Sequence, residues 1–164
     1  MKEYPDTNAE TRARELLLMR AGGLAFAVHA EECECVTPWA EPAPLPHAPA
    51  AVLGVVSVRG RIRTVLDPAR MLGAAAPGYD RAAAGHRLLA SLAGDEQLAL
   101  ALEASELVTL SAGEQTQPET VSLPVRATFH HGGETVYLLD PSRLFDAAMS
   151  GAERRRQRTV SREP

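Results

Sequence analysis

The octapeptide VLDPARML (Val65–Leu72) returns as LLDPSRLF (Leu138–Phe145), which places Asp67 and Asp140 at matching positions 73 residues apart. Two carboxylates from two copies of one segment are the raw material of an aspartic hydrolase, whose pair shares a proton when held in contact. That chemistry needs each carboxylate in an open, glycine-turned loop facing its twin. Here each Asp precedes a proline and opens an apolar helical turn. The residue types therefore make Asp67 and Asp140 helix caps first, with proline at the first helical position, and hydrolysis by the pair is the enzymatic alternative.

Other reactive side chains are sparse. Cys33 and Cys35 are the only cysteines and stand one residue apart, too close in sequence to form a disulfide framework. On a strand they would share a face, and with no CxxC spacing or neighbouring ligands they read as half-buried structural thiols. His29, His47 and His86 are isolated, and His130-His131 precedes a Gly-Gly turn, so the histidines read as exposed turn residues rather than a metal site. Neither a glycine-rich phosphate loop, an HExxH pair nor a Gly-x-Ser-x-Gly elbow occurs. The expectation is no catalytic residue, no metal and no cofactor. Arg59 is more informative, because with Gly60 it sits between GVVSV and RIRTVL. A hairpin arginine is either solvated or presents its guanidinium to a carboxylate or carbonyl of a protein partner.

Such residues need strands to hold them. Short apolar runs rich in Leu, Val and Ala occur at Leu16–Met19, Leu24–Val28, Val52–Val58, Arg61–Leu66, Arg87–Leu92, Gln97–Leu102 and Glu134–Leu139. Turn signals separate them at Ala21-Gly22-Gly23, Arg59-Gly60, Ala93-Gly94-Asp95 and His131-Gly132-Gly133, spacings suited to hairpins. The stretch Ala27–Val36 also aligns with Ala99–Val108, in the same order as the LDPxR copies. The whole chain thus reads as a duplication. The spacing predicts a mainly β fold with short helices: one five-stranded barrel over about 15–73, a linker over 74–85 and a second barrel over about 86–149. A Pro-rich loop, Thr37–Pro49, should wrap the first barrel, with Trp39 covering apolar surface.

Composition bounds the function classes. In 164 residues, 45% are hydrophobic and 4% aromatic, enough for a packed aliphatic core. No apolar run approaches the roughly 20 residues of a membrane helix, and the polar start over 1–14 reads as a flexible arm rather than a signal peptide. Both point to a cytoplasmic protein without direct membrane insertion. The net charge is −4, but 151–164 holds five arginines against two glutamates. The tail over 150–164 is therefore expected to be flexible, and without a basic folded face nucleic acid is not the expected partner.

Taken in order, LMRAGGLAFAVHAEECECV (Leu18–Val36), the loop with Leu45, Pro46 and Pro49, and VLGVVSVRGRIRTVLDPARMLG (Val52–Gly73) resemble the CheW-like domain. This is the coupling module of bacterial chemosensory arrays, and the resemblance runs from about Leu16 to Phe145. It implies two SH3-like five-stranded β-barrels packed as pseudo-repeats, no enzymatic activity, and a place at receptor arrays beneath the inner membrane. It also implies two partners: the regulatory domain of a CheA-type histidine kinase and the cytoplasmic tip of a chemoreceptor (a methyl-accepting chemotaxis protein). By position, Cys33, Cys35 and Val36 match the kinase-contacting barrel end, and Val56 and Val58 lie on the strand near the receptor groove. Arg59 matches the family's Arg-Gly arginine, while Gly54, Gly60, Asp67 and Asp140 take structural positions. Several residues depart from the family pattern. Cys35 replaces a glutamate, Arg63 an apolar residue and Thr64 a proline, while Pro68 and Pro141 stand where leucine is usual. The altered CECV edge raises a second reading, a specialised scaffold that keeps only one of the two partners.

Overall fold

Small and large apolar residues alternate in the central strands, so both faces of those strands are buried. In the computed structural model, which describes residues 14–71, 85–110 and 124–149, the chain forms ten strands. The first five are β1 (Arg14–Ala21), β2 (Leu24–His29), β3 (Cys33–Pro38), β4 (Val52–Val58) and β5 (Arg61–Leu66). The others are β6 (Leu88–Leu92), β7 (Leu98–Leu102), β8 (Ala104–Leu110), β9 (Val125–His131) and β10 (Glu134–Leu139). Helix α1 (Pro68–Met71) follows β5, and α2, over 141–149, follows β10. The expected linker and arginine-rich tail, and the arm before Arg14, lie outside the described residues except for Gly85.

Two five-stranded sheets result, in the orders β8-β1-β2-β10-β9 and β3-β6-β7-β5-β4. An offset of about 73 residues converts each strand of the first half into one of the second and one sheet order into the other. The duplication read from LDPxR therefore extends to the whole topology. Yet the barrels are not sequence halves. Each takes the leading hairpin of one copy and the last three strands of the other. The junctions are parallel pairs, Val136, Tyr137 and Leu138 beside Ala25, Phe26 and Ala27, and Thr64, Val65 and Leu66 beside Leu98, Ala99 and Leu100. Parallel neighbours require long crossovers, which the exchange between copies supplies. The contiguous division into 15–73 and 86–149 is corrected accordingly.

Exchange explains the burial pattern. Leu16 and Leu18 of β1 with Ala25 and Ala27 of β2 fill the first barrel, while Ala99, Ala101, Val56, Val58 and Val65 help fill the second. The alternate residues Leu17, Met19, Phe26, Val28, Leu98, Leu100 and Leu102 meet in a cluster between the barrels. In β2 and β7 the small alanines face into the barrels, beside larger residues from other strands, while the larger residues of these two strands fill the layer between. Because that layer is shared by strands that also complete each other's sheets, the barrels depend on one another.

Three strands carry weak apolar signals and are absent from the sequence expectation: β3, β8 and β9. All three are sheet edges. An edge needs only one buried face, so exposed residues such as Glu34, Glu106 and Leu107 interrupt the pattern. The remaining edge, β4, is partly covered by the Pro-rich loop. Ala43 exchanges backbone hydrogen bonds of 2.8 and 2.9 Å with Val55. Gly54 permits this approach, since a Cβ there would lie 2.2 Å from the Ala43 carbonyl oxygen. Its backbone also stands at φ 145°, a region suited to glycine. The loop then places Trp39 against His86, ring centroids 5.0 Å apart.

Both repeated aspartates cap helices, as the sequence predicts. Oδ1 of Asp67 accepts from the Ala69 N–H and Oδ1 of Asp140 from the Ser142 N–H, each at 3.1 Å. Arg70 and Arg143 then pair with them three residues on, at 3.3 and 3.6 Å.

Candidate functional site

The hairpin joining β4 to β5 turns through Arg59 and Gly60 at φ 50° and 79°. Its counterpart in the second copy turns through Gly132 and Gly133 at φ 58° and 79°. A two-residue hairpin turn of this kind needs left-handed backbone at both positions, which glycine adopts without cost. An arginine there costs about 1 kcal/mol. One copy uses the unstrained residue and the other uses a cation, so Arg59 is a candidate for a role beyond turn formation.

Arg59 stands at the mouth of a cavity of about 250 Å³ lined by Glu34, Cys35, Val58, Arg59, Arg61 and Arg63. Strand β3 supplies Glu34 and Cys35, and the β4–β5 hairpin supplies the rest, so the cavity lies where the two edges of this sheet approach. Arg63 forms its floor. It occupies the place that Val136 takes in the other barrel and is 3% exposed. Nη1 donates to the Leu92 and Leu98 carbonyls at 2.9 and 3.4 Å, and Nη2 pairs with the Glu34 carboxylate. Its Nε has no acceptor and is fully enclosed. Arg59 and Arg61 are exposed and make no ion pair among the described residues.

The structure thus brings together three of the expected partner-binding residues, Cys35, Val58 and Arg59. The other three, Val56, Cys33 and Val36, do not line it. Val56 and Val58 are 9% and 7% exposed and pack in the barrel interior, so Val56 offers no side chain to a partner surface and Val58 only an edge at the cavity. The outward residues of this hairpin are Ser57 and, opposite it, Ile62, which is 70% exposed. Val36 lies on the outer side of β3 and is partly exposed.

Cys33 and Cys35 do not share a face in the simple way alternation predicts. A bulge sets Cys33 opposite Leu92 and Cys35 opposite Ser91, leaving Glu34 as the extra residue. Cys33 consequently packs on the cluster between the barrels and Cys35 on the barrel interior. Burial, with the nearby Cys35 adding to it, pushes the Cys33 thiol up to about 11. The histidines divide too. His86, expected at the surface, is largely covered by Trp39, with Nε2 3.9 Å from the Asp67 carboxylate.

In the sequence Arg63 stands out only as a substitution for an apolar residue, and Arg61 and Glu34 do not stand out as its companions. The available signal is the charge content of RGRIR opposite ECEC, which a two-residue hairpin and an edge strand bring to one end of a barrel. The hydrolase alternative has no support in the geometry. Asp140 is held by Ser142, Arg126 and Arg143. Burial alone would raise its pKa, but the Ser142 hydrogen bonds and the two arginines outweigh it and bring the carboxyl below its ordinary value. A proton-sharing dyad would require the opposite in one partner. Among the described residues no group of His, Cys, Asp and Glu is placed to hold a metal, and no helix is long and apolar enough to cross a membrane.

Comparison with known proteins adds three findings. The profile of the CheW-like domain matches residues 15–149. A chemotaxis protein CheW of Rhizobium meliloti is 38% identical over 60 residues, and a probable chemotaxis protein CheW of Rhizobium etli is 35% identical over 60. Each match covers 37% of this chain and 39% of the relative's length. The crystal structure of the scaffolding protein TtCheW from Thermoanaerobacter tengcongensis superposes with a TM-score of 0.62 at 13% identity, over 78% of this chain and 89% of that one. That likeness establishes the fold: a pair of SH3-like barrels.

Proposed function

Because the chain belongs to the CheW-like domain family, a family of chemotaxis scaffold proteins, we propose that it is a non-enzymatic adaptor joining a chemoreceptor's cytoplasmic tip to the regulatory domain of a CheA-type histidine kinase. The observation that carries this reading is Arg59. It stands in left-handed backbone where its own duplicate has glycine, at the mouth of an arginine-lined cavity, and both observations support a contact role. Adaptor function requires surfaces rather than a reaction centre, and the caps at Asp67 and Asp140 leave no catalytic arrangement in the repeat.

The kinase-facing end is assigned to β3, with Cys35 and Val36, together with Arg59. For the receptor helix the burial of Val56 and Val58 moves the apolar contact to the outer face of the same hairpin. Ile62 is the hairpin's largest exposed apolar side chain, and helix recognition in a groove relies on a few such anchors. The location that follows is cytoplasmic, at receptor arrays beneath the inner membrane.

Size-exclusion chromatography and calorimetry of the full chain with a cognate kinase regulatory domain, and separately with a receptor-tip fragment, test the proposal. Binding to both at tens of micromolar or tighter is expected. Binding to one alone would instead support the specialised scaffold, for which the displaced CECV edge is the motivating feature. Binding to neither contradicts the adaptor reading.

A further inference from the structure

We propose that the cavity between β3 and the β4–β5 hairpin is a carboxylate-binding pocket that takes an Asp or Glu side chain of a protein partner. The proposal rests on the adaptor reading only for the source of the carboxylate. The chemistry comes from the pocket itself.

Three guanidiniums line the cavity against one carboxylate, and that carboxylate, Glu34, is already engaged by Arg63. Arg63 is buried in a barrel interior where the equivalent residue is Val136, with an Nε hydrogen that finds no acceptor. A cation in such a place is costly unless counter-charge lies close, and Glu34 supplies that charge to Arg63, which leaves it committed there rather than to Arg59 or Arg61. Above it, Arg59 and Arg61 leave the mouth with two more cations that no described carboxylate meets. The cavity volume of about 250 Å³ suits a side chain rather than a cofactor. A carboxylate entering at the mouth would meet planar, doubly donating partners, the geometry that makes arginine the usual reader of carboxylates. Glu34 then acts as the pocket's internal counter-ion for Arg63, and the incoming group answers Arg59 and Arg61.

The test uses the full chain and needs no partner. A blocked short peptide with one glutamate, its glutamine twin and inorganic phosphate are each titrated while backbone amide resonances are followed. The glutamate peptide is expected to shift Cys35, Val58, Arg59 and Arg61 with millimolar affinity, and the glutamine twin to shift none of them. The effect should weaken at least ten-fold in Arg59→Gln/Arg61→Gln, and in Arg61→Gln alone should the double variant not fold. Equal responses to both peptides, or a response that survives these substitutions, overturns the proposal. Phosphate binding without glutamate-peptide binding also overturns it, because it identifies a site for a free anion. A chain that binds the glutamate peptide yet neither kinase nor receptor would retain the pocket and lose the adaptor reading, so the two failures are distinct.

Discussion

In the proposed reading Arg59 trades stability for recognition, and a single substitution tests it. Arg59→Gly relieves the left-handed strain but loosens the unfolded chain, so a net stabilisation of no more than about 0.5 kcal/mol is expected in chemical denaturation. Partner affinity should fall at the same time. A variant both less stable and equally competent would show that Arg59 is not a contact residue. The cysteines differ just as sharply. With its thiol pushed up to about 11, Cys33 should resist alkylation at pH 8, where about one thiol in a thousand is ionised. Because this acid is weaker in the folded state, its contribution to stability is complete below the unfolded value near 9 and fades as pH rises to about 11. Mass-spectrometric labelling across pH 7–11 resolves the onset. Such differences are hidden in the sequence, where ECEC reads as plain alternation and only the bulge at Glu34 separates the two thiols.

Elements make their own predictions. Gly54→Ala would drive a Cβ into the Ala43 carbonyl and into forbidden backbone space, with an expected cost of about 2–4 kcal/mol. The matching position in the other barrel already holds Ala127, so Ala127→Gly should cost about 1 kcal/mol or less. Denaturant midpoints of the pair check this contrast, and equal losses would contradict it. The cap at α2 responds to pH. Asp140 has a lowered carboxyl, so its stabilisation is present above the unfolded value and is lost as pH falls through the folded one. Asp140→Asn keeps the capping oxygen but loses the ion pairs with Arg126 and Arg143, and its unfolding should be less sensitive than that of the parent as pH falls through and below the ordinary carboxylate range. The hairpin turns, the central strands and both caps are legible in the sequence because glycine pairs, apolar runs and Asp-Pro report local geometry. The edge strands β3, β8 and β9 are not, since polar residues, with one charged residue in each strand, break up their apolar runs.

At the scale of the molecule, the duplication is visible in LDPxR while the exchange of hairpins is not. Sequence periodicity records which strands exist, but the parallel pairs of β10 with β2 and β5 with β7 arise from packing across copies. The result is one interdependent body in which the cluster between the barrels holds two ends and an intervening surface in fixed relation. Rigid separation of surfaces is what an adaptor needs, because two partners must be held at once without competing. The most direct test of that claim is assembly of the ternary complex from the full chain, a kinase regulatory domain and a receptor-tip fragment, followed by analytical ultracentrifugation. One species containing all three is expected, weakened by Arg59→Gly. Mutually exclusive binding, with kinase displacing receptor and no ternary species at saturating concentrations, would contradict it.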